Sequence, residues 1–385
     1  MSDGTGPAAD DESGRRFAAA LSRHPEPAAA VAEVIGRLGE ELPAPPSLVM
    51  VFASGAMIDS LDDVLDAFTT LLTPDVLIGT TAVGVVAGGE EVESADALSA
   101  WAATGVDARP LRLEALPGPL LTGLPDRIEP GSTLVVLADP YTYPVDALVD
   151  HVNDDHPGVA VVGGLSSAPG GPGRNRLLLD DHALDEGAVA VLLPPGVATP
   201  VVSQGCRPIG SPWVITEAEG QLVRTLGGRP AMERLSDTIE ELADADRAIA
   251  ARGLHAGLVA NDRATTFDQG DFLIRGVLGA ERASGAVAIG DRAEVGQVLQ
   301  FQVRDEESAS RELDRLLAPV RGRGAIVFTC NGRGSHLFST PNHDASRVSD
   351  AVGPAVAGMF CAGELGPIAE RNALHGFTAT VLAFD

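Results

Sequence analysis

The sequence predicts an α+β protein of mixed α/β character, with two lobes of mixed, largely antiparallel sheets covered by helices and built from repeated β-α-β units. Three observations carry this expectation. Continuous apolar runs such as Leu48 to Ser54 and Ala325 to Cys330 have the length and β-branched content of strands buried on both faces. The order of apolar strand, helix and glycine-interrupted apolar strand occurs three times, with about 30 residues from strand start to glycine in each copy. Between the second and third copies the pattern changes to short strands, of which Val298 to Arg304 alternates at period 2.

In chain order, residues 1–13 are small, polar and acidic and read as a flexible lead-in. Phe17 to Leu42 reads as one helix, since Phe17, Leu21, Ala28, Val31, Val34, Ile35 and Leu38 recur near period 3.6, and Pro43, Pro45 and Pro46 end it. The first copy follows as strand Leu48 to Ser54, a helix over Ile58 to Leu72, and strand Val76 to Gly84. The second is strand Thr133 to Ala138, helix Val145 to Val152, and strand Val159 to Gly164. Asn175 to Leu179 and Gly187 to Leu193 read as two strands joined by an acidic turn, and Pro194-Pro195-Gly196 closes the first lobe, residues 14–196.

The second lobe, 197–385, holds helix Ala231 to Ala243, strands Phe272 to Val277, Ala286 to Gly290 and Val298 to Arg304, and helix Ala309 to Val320. The third copy comes next: Ala325 to Cys330, a helix opened by Pro341-Asn342-His343-Asp344, and Ala355 to Cys361, with a last strand from His375 to Ala383. Gly358 and Gly363 repeat the G-x4-G spacing of Gly79 and Gly84.

Composition excludes some partners. All 27 basic residues are Arg, against 54 Asp and Glu, for a formal charge of -27. Phosphates would be repelled, so nucleic acid and anionic membrane surfaces are not expected partners. No apolar run reaches the roughly 20 residues that span a bilayer. No apolar targeting stretch follows Met1, and three cysteines cannot all pair, so a soluble protein in a reducing cytoplasm is expected.

The chemistry-bearing residues concentrate in the second lobe. Cys330 and Cys361 end apolar strands, where open sheets place ligands, and Cys206 sits beside Arg207, whose charge favours thiolate. These thiols read as small hydrophobic packing or cavity lining or, as an alternative, as an enzyme's nucleophile or metal ligand, with His336, His343 and His375 available as bases. Cys330, Cys361, His343 and His375 lack the short spacing that marks a zinc site, and no cofactor is indicated. The Pro169 to Gly173 run lacks the Lys-Ser/Thr of a phosphate loop and reads as a turn. Glu364 is the only charge between Val356 and Ile368 and needs a partner: Arg333, Arg371, or a ligand's ammonium group, with Arg333 and freed backbone N–H groups then holding a carboxylate. Asn342 or Asp344 is expected to cap the helix that follows.

The segments Gly205-Cys206-Arg207-Pro208-Ile209-Gly210, Thr329 to Gly334, Pro341 to Asp344, Phe360 to Pro367 and Asn372 to Thr378 together resemble the hallmark segments of the FIST sensory domain family, in order, as a FIST-N half followed by a FIST-C half. The resemblance implies a ligand-sensing module in signal transduction, with an amino acid-like small molecule as ligand and no catalytic residues to carry over. It implies a site drawn from Cys206, Arg207, Cys330, Asn331, Arg333, His343, Asp344, Cys361, Glu364, Asn372 and His375. The glycine strand Gly79 to Val86 lacks the Cys and Glu of that pattern, which directs attention to the second half. No output segment is recognisable, so a separate signalling partner protein is expected.

Overall fold

The computed structural model describes residues 14–116, 120–260, 267 and 269–385, so the lead-in expected at 1–13 lies outside the described residues. The first sheet-forming unit comprises β1 (Arg16–Ser22), α1 (Pro27–Glu41), β2 (Leu48–Ser54), α2 (Leu61–Leu71), β3 (Leu77–Thr81), the hairpin β4 (Gly84–Ala87) and β5 (Glu90–Glu93), and β6 (Ala97–Thr104). The second comprises β7 (Arg109–Ala115), β8 (Leu121–Thr122), β9 (Thr133–Ala138), α3 (Val145–Asp155), β10 (Ala160–Leu165), the hairpin β11 (Leu177–Leu179) and β12 (His182–Leu184), and β13 (Ala188–Leu193).

After β14 (Ala198–Ser203) the chain enters an antiparallel region of β15 (Cys206–Pro208), β16 (Trp213–Glu219), β17 (Leu222–Leu226), β18 (Arg229–Pro230), α4 (Ala231–Glu241), α5 (Asp244–Ala250), β19 (His255–Val259), β20 (Phe272–Glu281), β21 (Ala286–Ile289) and β22 (Val298–Arg304). The third unit is α6 (Glu306–Leu317), β23 (Gly324–Cys330), α7 (His343–Val352), β24 (Val356–Cys361), the hairpin β25 (Glu364–Ile368) and β26 (Arg371–His375), and β27 (Ala379–Phe384).

The three β-α-β copies expected from the sequence are present, and their strand orders match one another: β1-β6-β2-β3-β11-β12, β8-β7-β13-β9-β10-β25-β26, and β14-β27-β23-β24-β4-β5. In each sheet the parallel pair of one unit is extended by the hairpin of another. The first unit's hairpin completes the third sheet, the second's completes the first, and the third's completes the second, so the exchange is cyclic. β2 and β23 are buried along their full length because helices cover one face and the other faces a shared core. That core draws Met50, Phe52, Leu137, Val162, Phe328, Met359, Cys361 and Phe384 from all three sheets. α1 and α2, α3, and α6 with α7 cover the respective outer faces.

The repeated glycines have a common cause. Gly79, Gly163 and Gly358 stand in register with Val51, Val136 and Val327 of the neighbouring parallel strand. A Cβ on them would fall 2.5, 1.9 and 1.9 Å from those valines' carbonyl oxygens. Only glycine allows that approach.

The antiparallel region closes on itself, since β22 pairs with β15 and β16 on one side and β19 on the other, around Ile215, Leu258, Leu299 and Phe301.

Several expected boundaries move. Phe17 to Leu42 is a strand followed by a helix: the alanine-rich start alternates in burial and pairs with β6 from Arg16↔Thr104 to Ser22↔Leu98, and Pro27 then opens α1. The alternation of Ala18 and Ala20 against Phe17, Ala19 and Leu21 suits both periods over so short a run, and the partner strand decides it. β3 ends at Thr81 and Gly84 begins a separate strand. β11 and β13 lie in different sheets, and β12 occupies the expected acidic turn. The last strand is broken after His375, where Phe377 takes a left-handed φ of 65°.

The two kinds of glycine separate in a stability experiment. Gly358→Ala is expected to destabilise the fold by roughly 2–4 kcal/mol through the clash at Val327. Gly36→Ala, on the exposed face of α1 with nothing near its added methyl, should instead stabilise by about 0.5–1 kcal/mol, read from urea midpoints.

Candidate functional site

The end of β23, the start of α7, the β24–β25 connection and the outer face of β22 converge where the closed antiparallel region meets the third sheet. Arg333 follows the β23 turn and is completely buried, as is Asp344 in the first turn of α7. Arg333 Nε donates to Asp344 Oδ2 at 2.7 Å and Nη2 to Oδ1 at 2.8 Å, a two-pronged pair. Thr329 Oγ1 donates to Oδ2 at 2.7 Å, and the His343 ring lies 2.9 Å from Oδ1. Burial alone would raise the Asp344 carboxyl, but Arg333 and His343 hold it well below the usual carboxylate range.

Glu364, at 0% exposure, opens β25. Its Oε2 accepts from the Thr378 amide at 3.2 Å. The Cys330 thiol lies beside this carboxyl but directs its hydrogen at Asn331 Oδ1, 3.8 Å away, and Oε1 keeps no partner. Burial pushes Glu364 well above the usual carboxylate range, against the Thr378 amide and the charges of Arg333 and Arg304. Neither arginine expected from the sequence pairs with it. Arg333 is committed to Asp344, and Arg371 is exposed, 3.6 Å from Asp154.

Around Glu364 stand buried groups that the sequence reading did not single out. Arg304 sends Nη2 to the Gly332 carbonyl, and its guanidinium lies 5.1 Å from the Phe377 ring. Glu312 of α6 accepts through Oε2 from Ser203 Oγ at 3.0 Å and from the Gly205 amide at 2.8 Å. His255 meets Phe377 edge to face at 4.5 Å and pairs across strands with Gln302. Among the described residues, Glu364 Oε1, Glu312 Oε1, Arg333 Nη1, Arg304 Nε, Gln302 Nε2 and His255 Nδ1 are all buried without a hydrogen-bond partner. Native interiors hold few such atoms, so this concentration, acceptors and donors together, marks a place built to meet something else.

The period-2 alternation of β22 identified the face bearing Gln300, Gln302 and Arg304. It carried no sign that this face is covered. Nothing in the local pattern of α6 distinguished Glu312.

The remaining candidates divide. Cys330 and Cys361 are register partners on adjacent parallel strands beside Glu364, and Cys206 pairs with Arg304 across β15 and β22. A thiolate at Cys206 is not supported: burial pushes its thiol up to about 12 against the charges of Arg304 and Arg333, and Arg207, whose charge would favour it, is bound to Asp246 and Asp305 at the rim. Burial and Glu364 push Cys330 to about 12, and Cys361 also stands well above its ordinary value. Asn331 is exposed. Asn372 is structural, joining Val159 and Val161 at β10 to Asn153 of α3. His375 pairs in register with Glu364 but bonds the Gly366 carbonyl at 3.0 Å. His343 stacks on Phe338 and bonds Ser310 and Arg347, a support for Asp344.

Asn342 stands at the N-cap position in a left-handed φ of 60° and makes no cap bond; the capping is done by Glu91 of the exchanged hairpin β4–β5. Its Oε1 accepts from the amides of Asp344 at 2.8 Å and Ala345 at 3.0 Å. Glu93 in turn accepts from the Ser335 amide and hydroxyl at 2.9 and 2.8 Å, so one hairpin grips both flanks of the Arg333 loop.

These features coincide with a family. The class is a sensory, signal-transduction domain, and the match covers both halves: residues 47–229 correspond to the FIST N domain and residues 231–367 to the FIST C domain. The chain belongs to the FIST family. It is 41% identical over 380 residues to "Uncharacterized protein Mb0898c" of Mycobacterium bovis, covering 96% of this chain and 98% of that one. It is 40% identical over 380 residues to "Uncharacterized protein Rv0628c" of Mycobacterium tuberculosis, covering 96% of this chain and 99% of that one. Among the described residues no helix is long and apolar enough to cross a membrane.

Burial, and next the charge of Asp344, raise the Glu91 carboxyl to about 7 from 4.5. The folded state therefore holds this proton more tightly than the unfolded chain does. The resulting stabilisation is complete below the unfolded value and is lost as pH rises through the folded one. We expect wild type to lose about 3 kcal/mol of unfolding free energy relative to Glu91→Gln across that window. Parallel urea profiles for the two proteins at every pH would contradict this.

Proposed function

We propose that this chain is an intracellular receptor for a small ligand carrying both an ammonium and a carboxylate group, an amino acid or a similar polar metabolite, and that occupancy is reported to a separate signalling protein. The carrying observation is the set of unpartnered buried atoms of opposite character, Glu364 Oε1 against Arg304 Nε, Arg333 Nη1 and Gln302 Nε2. An unmet buried polar atom costs about 1–3 kcal/mol, which a matching guest returns. Glu364 suits the ammonium end, and the two arginines with Gln302 suit the carboxylate. The acidic composition and the three free cysteines support a reducing, cytoplasmic setting.

The cysteine-enzyme alternative has less support. With Cys206 and Cys330 near 12, thiolate at neutral pH is below about one part in 10⁴.

Thermal unfolding against a panel of amino acids and related metabolites tests the receptor reading. A true ligand at 100 times its Kd should stabilise wild type by about 2.7 kcal/mol. Because Glu364 must release its proton to hold a cation, affinity should tighten as pH rises, and Glu364→Gln should weaken binding and remove that dependence. A panel without any stabilising compound, or full binding by Glu364→Gln, would defeat the assignment.

A further inference from the structure

A surface pocket of about 270 Å³ lies against the candidate site, lined by Asp146, Ile274, Arg275, Gly276, Asp291 and the turn His375-Gly376-Phe377. Phe377 separates it from the buried cluster. The ring is half-buried, meets His255 and Arg304 on its inner side, and belongs to a non-glycine residue held at a left-handed φ of 65°. A methyl placed on Gly332 would stand 3.8 Å from Phe377 Cδ1, 3.8 Å from Cys330 Sγ and 3.5 Å from Arg304 Nη1, so the ring, the thiol and the guanidinium share one small volume. The next residue, Thr378, supplies the amide on Glu364. Moving this turn therefore uncovers the thiol and the carboxyl together.

The pocket's own chemistry is that of an acceptor. His375, at 3% exposure, points Nε2 at the Gly366 carbonyl, which can only accept, so Nε2 carries the hydrogen and Nδ1 is a lone pair without a donor, buried within the pocket wall. Arg275 is the pocket's cation, and its Nε is bound to Asp291 at 2.6 Å. Asp146 adds an exposed carboxylate that makes no side-chain hydrogen bond, with the charges of Arg275 and Asp291 beside it.

We propose that this pocket is the outer subsite of the receptor, taking the ammonium-bearing end of a small ligand through Asp146, and that Phe377 is the barrier the ligand passes to reach Glu364. This rests on the receptor reading above, but its test needs no identified ligand. Cys330 lies directly behind Phe377 and serves as a reporter, with Cys206 and Cys361 as internal controls.

The full chain is treated with aminoethyl methanethiosulfonate, a small cation, or sulfonatoethyl methanethiosulfonate, its anionic counterpart, and labelling of each cysteine is followed by peptide mass spectrometry. Phe377→Ala is expected to speed cationic labelling of Cys330 roughly tenfold or more while leaving Cys206 and Cys361 slow. Asp146→Asn should slow cationic labelling of Cys330 about threefold to fivefold, in wild type and Phe377→Ala backgrounds alike, while the anionic rate stays level or rises. Equal acceleration of all three cysteines by Phe377→Ala would mean general loosening and would overturn the barrier; indifference of the cationic rate to Asp146→Asn would overturn the subsite. Either result stands apart from the metabolite panel, which tests Glu364 and its arginines.

Discussion

The buried pair between Arg333 and Asp344 fixes the geometry on which the candidate site depends. Two charges removed from water are tolerable only when their bonds are complete, and Asp344 is fully engaged by Arg333, Thr329 and His343. The pair clamps the end of β23 to the start of α7, and the hairpin β4–β5 closes over both flanks through Glu91 and Glu93. One guanidinium nitrogen, Nη1, is left over. It faces Gly205, whose missing side chain allows the approach: a Cβ there would sit 2.7 Å from Nη1. Positive φ at Gly205 and the amide bond to Glu312 hold that glycine in place.

Burial sets the protonation states in this region. It raises the three thiols and Glu364 and lowers His255 and His375 to about 4, all toward the uncharged form. Asp344 escapes because its partner is in contact. The result is a set of acids and bases biased toward their uncharged forms around two arginines.

Much of this was legible in the chain. The three β-α-β copies, the isolation of Glu364 among apolar residues and the clustering of Cys330, Arg333 and Cys361 all follow from runs and spacings that a single strand or turn imposes. What was hidden required partners distant in sequence. The period of Phe17 to Leu21 is ambiguous until β6 lies beside it. Arg304 and Gln302 look like the wet face of an alternating strand until the closed antiparallel region docks on the third sheet. Glu91 reads as an ordinary hairpin charge, and only hairpin exchange brings it to α7. Asn372 and Arg207 were plausible ligands by residue type, yet their hydrogen-bonding capacity is taken up by Asn153 and β10 in one case and by Asp246 and Asp305 in the other.

The cyclic exchange of hairpins also constrains synthesis. As the chain leaves the ribosome, the first sheet lacks its outer strands until Leu184 has emerged, and the hairpin β4–β5 has no sheet to join until β24 follows it. The second sheet is incomplete until His375. No unit can therefore seal its own edges during translation, and the nascent chain carries open strands until the third unit has emerged. Selection on this architecture falls on the unfinished chain as well as on the finished one.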